Sequence, residues 1–204
     1  RLQGDWSSDV CSSDLPLLLI IWRRPDSLRK VIDAIRPVAP QFLYVASDGP
    51  RCEKKGEAEQ IILTRQLLEQ SIDWPCTIQR LYSDVNLGCR LGPITAINWF
   101  FNNVDEGIIL EDDCVPHPDF FSFCATLLNR YRNDNRVWCI SGNNFQNNRT
   151  RGEASYYYSR YVNCWGWASW RACWASYDPH LTSWPCLRSS SLLQSHFSDP
   201  LERR

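Results

Sequence analysis

Gly107-Ile108-Ile109-Leu110-Glu111-Asp112-Asp113 is an uninterrupted apolar run that ends in three carboxylates. A run without polar alternation is what a parallel strand buried on both faces requires. Working outward, four other segments read as strands: Pro16 to Trp22, Phe42 to Ala46, Cys76 to Tyr82 and Val137 to Ser141. Helical patterns lie between them. Leu28, Val31, Ile32 and Ile35 recur at helical spacing after Pro25, and Pro37 ends that helix. Glu57 to Ser71 reads as a polar helix with Ile61, Ile62 and Leu68 inward, and Pro93 to Asn103 as a helix apolar almost all round. Asp119 can cap a helix whose stripe is Phe120, Phe123, Cys124, Leu127, Leu128 and Tyr131. The alternation predicts an α/β fold: one mainly parallel sheet with helices on both faces. Beyond Gly142 the pattern breaks. Asn143 to Gly152 is loop-like, Tyr156 to Tyr158 strand-like and Ala168 to Tyr177 helix-like, so a smaller irregular C-terminal region is expected.

Composition narrows the function classes. The 204 residues carry a net charge of −1, which leaves no basic excess for nucleic acid. No apolar run reaches the ~18 residues of a transmembrane helix. Ten cysteines form no C-x-x-C pair and no zinc spacing. Cys114, Cys124, Cys139 and Cys164 fall in core-like segments, so thiols in a reducing, cytoplasmic setting are expected. Asp5 to Leu15 looks like the in-frame translation of a sequencing adapter. Residues 1–15 are therefore set aside as a non-native tail, and 16–204 is taken as one domain.

In an open α/β sheet, ligands bind beyond the carboxyl ends of the strands. Each such end here is polar: Arg23-Arg24, Asp48-Gly49, Asn86-Leu87-Gly88, and the acid triplet. Neither G-x-G-x-x-G nor G-x-x-x-x-G-K-[ST] follows the first strand, which argues against nicotinamide, flavin or P-loop nucleotide sites. Like carboxylates ~6 Å apart repel by about 3 kcal/mol at an effective dielectric of ~20. A divalent cation removes that cost, and magnesium-like ions use one or two carboxylates plus phosphate oxygens and water. In extended geometry Glu111 and Asp113 share one face and Asp112 takes the other. A solvated acidic loop is the alternative.

Ile108 to Phe121, I-I-L-E-D-D-C-V-P-H-P-D-F-F, resembles the metal-binding segment of GT-A-fold glycosyltransferases. The likeness is nearest to the branch that holds the Golgi N-acetylglucosaminyltransferases and bacterial nucleotide-diphospho-sugar transferases. R-P-D-S-L-R-K-V-I from Arg24, V-A-S-D-G-P at 45–50, N-L-G-C at 86–89 and W-G-W-A-S-W-R at 165–171 agree with it. The resemblance runs from Pro16 to about Asp199. It implies a GT-A-type, Rossmann-like fold and a metal-dependent transfer from a nucleoside diphosphate sugar to a glycan or other acceptor hydroxyl, with inversion. It implies Mn2+ or Mg2+ on Asp113, and Asp112 against the donor ribose or a metal water. It also implies Asp48 at the nucleobase or ribose and Arg24 near the nucleotide, with Asn86 and Gly88 on the donor side. Asp48 can equally close a turn with Gly49, Arg24 can be a surface charge, and Asn86 and Gly88 can be turn residues. A sugar nucleotidyltransferase and a non-catalytic sugar-nucleotide or glycan-binding module are the other function classes.

Trp167, Trp170, Trp174 and Tyr177 are spaced for one helix face, and core packing is expected of Trp170 and Trp174. Trp165 and Trp167 flank Gly166 and can line a sugar pocket. His117, His180 and His196 have no partner spacing. An inverting transfer needs a carboxylate base in the acceptor half. Glu153 and Asp178 are the candidates, Asp134 reads as a turn residue, and a C-terminal part of the acceptor site is expected to be missing from the chain.

Overall fold

The computed structural model describes residues 14–146, 149 and 152–191. In chain order the elements are β1 (Leu17–Ile21), α1 (Pro25–Ile35), β2 (Phe42–Ser47), α2 (Glu57–Ser71), β3 (Thr77–Tyr82) and α3 (Gly88–Asn103). They continue with β4 (Glu106–Glu111), α4 (Asp119–Tyr131), β5 (Cys139–Ser141), β6 (Trp167–Trp170), α5 (Arg171–Trp174) and α6 (Trp184–Arg188). The sheet order is β3-β2-β1-β4-β6-β5. β1 pairs in parallel with β2 and β4, and β2 with β3, whereas β6 is antiparallel to both β4 and β5. The mainly parallel α/β sheet with helices on both faces is thus the observed fold.

Strand alternation divides the core into two layers. Leu17, Leu19 and Ile21 face Leu28 and Ile32 of α1, Leu68 of α2 and Phe121 and Leu128 of α4. Leu18 faces the other way, with Ala46 and Ile109, onto Ala96, Ile97, Phe100 and Phe101 of α3. The two sides are unequal: three helices cover one, and α3 with Trp174 covers the other. Because β1, β2 and β4 run the same way, Ile21, Ser47 and Glu111 end on one edge. Among the described residues, no helix is long and apolar enough to cross a membrane.

Several expectations change. Trp167 to Trp170 is strand, not helix, because Trp167, Ala168, Ser169 and Trp170 pair with Ile109, Ile108, Gly107 and Glu106 of β4. Aromatic residues suit a pleated surface, and this long-range pairing outweighs the helical spacing. Only Arg171–Trp174 is helical. Tyr156 to Tyr158 joins no strand. Ile62 is 52% exposed, and α3 starts at Gly88 rather than Pro93 and buries one face only. Asp119 lies in the first turn of α4 without a side-chain capping bond. Cys164 is exposed, while Cys124 is buried and no disulfide forms among the described cysteines. Leu15, set aside with the tail, packs in the core at 6% exposure, and Gln41 donates to Asp14.

The start of α2 carries a buried charge. Glu57 is 2% exposed and accepts from Arg51 Nη2 at 2.6 Å, Arg23 Nη1 at 3.0 Å and the Arg51 backbone N–H at 2.8 Å. The Arg51 side chain, first among these, holds the Glu57 carboxyl at about 2 instead of the ordinary 4.5. A depressed folded pKa stabilises above the unfolded value, and that stability is lost as pH falls toward the folded one. Wild type should therefore exceed Glu57→Gln in stability at neutral pH, with the gap closing between pH 4.5 and about 2. Urea unfolding of both proteins across that range checks it.

Candidate active site

The acid triplet ends β4 and turns at once. Glu111 is the last strand residue, and Cys114 N–H returns to Glu111 O at 3.0 Å. The turn sends the two aspartates apart. Asp112 is 1% exposed and Asp113 has a side chain 45% exposed. Asp112 Oδ2 accepts from the Trp22 backbone N–H at 2.9 Å, and Asp112 N–H donates to Ile20 O at 3.0 Å. Arg24 spans the pair: Nη2 is 2.6 Å from Asp112 Oδ1 and Nη1 is 2.6 Å from Asp113 Oδ2. Asp112 Oδ1 has the charge of Arg24 beside it but no aligned hydrogen-bond donor.

The electrostatics follow from this placement. Burial raises the Asp112 pKa, against the opposing Trp22 N–H and Arg24. Burial, then Asp113 and Asp112, raise Glu111. Burial disfavours the Arg24 charge, but Asp112 and then Asp113 more than offset it, so Arg24 stays above its ordinary value.

The Asp48 carboxylate is fully engaged. Oδ1 accepts from Gly49 N–H (2.9 Å) and Leu87 N–H (2.8 Å), and Oδ2 from Gly88 N–H (2.9 Å) and Asn86 Nδ2 (3.0 Å). It thus occupies the positive end of α3, where an anion is favoured. Asn86 Nδ2 also donates to Gly49 O at 2.9 Å. Gly49 is required here, since a Cβ would lie 2.5 Å from the Val85 carbonyl carbon. Asp48, Asn86 and Gly88 therefore stitch the β2 and β3 loops together rather than present free groups.

Trp22 and Arg65 complete the edge, and neither was singled out from sequence. The Trp22 indole N–H donates to Gly49 O at 3.2 Å, with Arg23 and Arg51 over its ring. Arg65 donates to Ser47 Oγ at 2.9 Å and Ser83 O at 2.8 Å, which ties the ends of β2 and β3. Each is an isolated residue, and only the adjacency of strand ends reveals it.

Beside Asp113 opens a cleft of about 1680 Å³ between α4 and residues 136–144 and 154–166. Trp165, His117, Trp138 and Tyr156 are on its wall. Trp165 meets Phe145 edge to face at 5.9 Å. Trp167 does not line the cleft. The positive φ of Gly166 (81°) breaks the alternation, and Trp167 packs with Trp174 at 6.3 Å. Trp170 is buried in the core as expected. Tyr131 OH shares hydrogen bonds with Tyr156 OH (2.5 Å) and Tyr158 OH (2.6 Å). Burial, then these bonds, push the Tyr131 hydroxyl well above the usual range.

Neither candidate base is on the wall of that cleft. Asp178 accepts from His180 N–H, Thr182 N–H and Thr182 Oγ1, and the Thr182 bond lowers its pKa. A carboxylate so held is a weak base. Glu153 is exposed in a bend. Asp134 is a turn residue paired with Arg136, as expected. His196, Asp199 and Glu202 lie outside the described residues.

The acid pair fits the small donor set of a magnesium-like ion, which leaves its other positions to phosphate and water. Asp113 is accessible, and Asp112 Oδ1 is buried without an aligned donor. Among the described residues, no three His, Cys, Asp or Glu side chains gather into a closed metal cage.

The model of the GNT-I family matches residues 12–187. No curated protein matches the chain. One solved structure to which the chain is similar is 4-diphosphocytidyl-2C-methyl-D-erythritolsynthase from Anaerococcus prevotii DSM 20548. It is 13% identical, with 78% of this chain and 73% of that chain covered and a TM-score of 0.44.

Removing the Asp48 carboxylate unpairs three backbone N–H groups and the Asn86 amide. Asp48→Ala should cost about 3 kcal/mol, since bonds to charged groups contribute roughly 1.5–3 each and do not add fully. Chemical denaturation measures it, and a loss under about 1 kcal/mol contradicts the stitching role.

Proposed function

The chain belongs to the GNT-I family and is thereby a glycosyltransferase, and from that premise we propose a transfer from a nucleoside diphosphate sugar to a hydroxyl of a glycan or other acceptor in the cleft, assisted by Mn2+ or Mg2+. The observation that carries this reading is the position of the acid pair. Asp112 and Asp113 stand at the carboxyl edge of the parallel strands, and Asp113 borders the large cleft. When bound, the cation neutralises charge that develops on the leaving diphosphate. Asp113 is the residue to hold it, with Asp112 beside it for a metal water or the donor ribose. Arg24 has N–H donors on the same side for phosphate oxygens, where a fork gives two-point recognition. Trp22 keeps Asp112 oriented through its backbone N–H. The stitched loops after β2 and β3 give the donor a fixed wall. Trp165, 64% exposed on the cleft, offers an indole face to a sugar ring.

Asp113→Ala should lower nucleotide-sugar turnover by at least about a hundredfold, the scale of losing one aimed electrostatic contact. It should also lose Mn2+-dependent nucleotide binding while keeping its circular dichroism. The assay is sugar release from UDP-, GDP- and dTDP-sugars followed by mass spectrometry, with calorimetry for binding. Donor binding equal to wild type in Mn2+ contradicts the assignment of Asp113.

A further inference from the structure

Arg24 stands where the acid pair requires positive charge. Its guanidinium lies 2.6 Å from both Asp112 Oδ1 and Asp113 Oδ2. Asp112 is 1% exposed, its other oxygen is taken by Trp22 N–H, and Oδ1 has no aligned donor. Water therefore does little to stabilise that charge, and Arg24 supplies the compensation. Its position is not incidental. Arg24 precedes Pro25, which opens α1; a residue before proline is kept out of the helical region, and Arg24 sits at φ −118°, ψ 70°. The side chain thus leaves the end of β1 with little freedom in its root.

A guanidinium fork suits two carboxylate oxygens and two phosphate oxygens equally. A guanidinium on this acid pair and a divalent cation on Asp113, in contrast, repel each other. On the glycosyltransferase reading above, we propose that Arg24 is the resident counter-cation of Asp112 and Asp113, so that divalent cation and donor diphosphate load together. Arg24 releases the carboxylates when diphosphate oxygens take over its N–H groups. A cation offered alone must displace Arg24 without that exchange, and its apparent affinity falls by the fraction of molecules in which the pair is free. Coupling of this kind is reciprocal: the nucleotide tightens the cation as much as the cation tightens the nucleotide.

The test titrates Mn2+ by electron paramagnetic resonance on the full chain, without nucleotide and with saturating UDP, GDP or dTDP. Wild type is expected to bind Mn2+ weakly alone and at least about tenfold tighter with one nucleotide. Arg24→Met should bind Mn2+ alone at least about tenfold tighter than wild type and lose most of the coupling. Arg24→Lys keeps a charge that cannot fork, should fall between the two, and carries the comparison if the Met variant does not fold. Both variants binding Mn2+ alone no tighter than wild type, with the coupling intact, overturns the counter-cation role and leaves the glycosyltransferase reading standing. No Mn2+ binding by wild type with any of the nucleotides overturns that reading and this inference together.

Discussion

Burial of Asp112 is the constraint from which the edge of the sheet is built. A carboxylate taken out of water must recover its hydration from fixed partners. Both partners come from the two residues that follow β1 and flank Arg23: the Trp22 N–H and the Arg24 guanidinium. They reach Asp112 only because β1 and β4 are neighbours, parallel, and registered with Ile20 opposite Glu111. Trp22 then extends the tie through its indole to Gly49, and Asp48 beside it extends it to the first turn of α3. Three strand ends and one helix start are thereby joined through two carboxylates.

The parallel half was legible from residues 16 to 131 because β1, β2 and β4 are apolar and largely buried and α1 and α4 carry apolar stripes, while β3, at the sheet edge, is largely exposed. Those are local patterns, and most element bounds agree within a residue or so. The antiparallel part was not. The W-A-S-W stretch has helical tryptophan spacing, and what makes it a strand is β4, some sixty residues earlier. Arg171 shows the same dependence: its side chain donates to Phe101 O and Val104 O, closing the end of α3, which no local signal announces.

Site legibility followed the same rule. Three carboxylates after a buried run stand out in any reading, and the divergence of Asp112 from Asp113 comes from the turn that follows Glu111. Arg24 was legible by place but not by partner. Asp48 was read as a donor contact or a turn with Gly49, and its four donors show it engaged well beyond that turn. For Glu153 and Asp178, residue type alone was a weak guide, because a carboxylate's use depends on what already bonds it.

The two sides of Asp113 differ in kind. Toward β1 and β2 the groups are charged or backbone polar, closely paired, and fixed by glycine and proline. Toward α4 the cleft wall mixes aromatic rings with aliphatic and polar groups and with Arg136, Arg149 and Arg160, and the Tyr131 hydroxyl bonds those of Tyr156 and Tyr158. With Tyr131 pushed upward, that hydroxyl stays protonated. On the proposed function, the donor phosphates meet Arg24 on the first side and a sugar ring meets ring faces and hydroxyls on the second. Asp113 is exposed at the boundary, so on the proposed function the bond between diphosphate and sugar lies where the one environment gives way to the other.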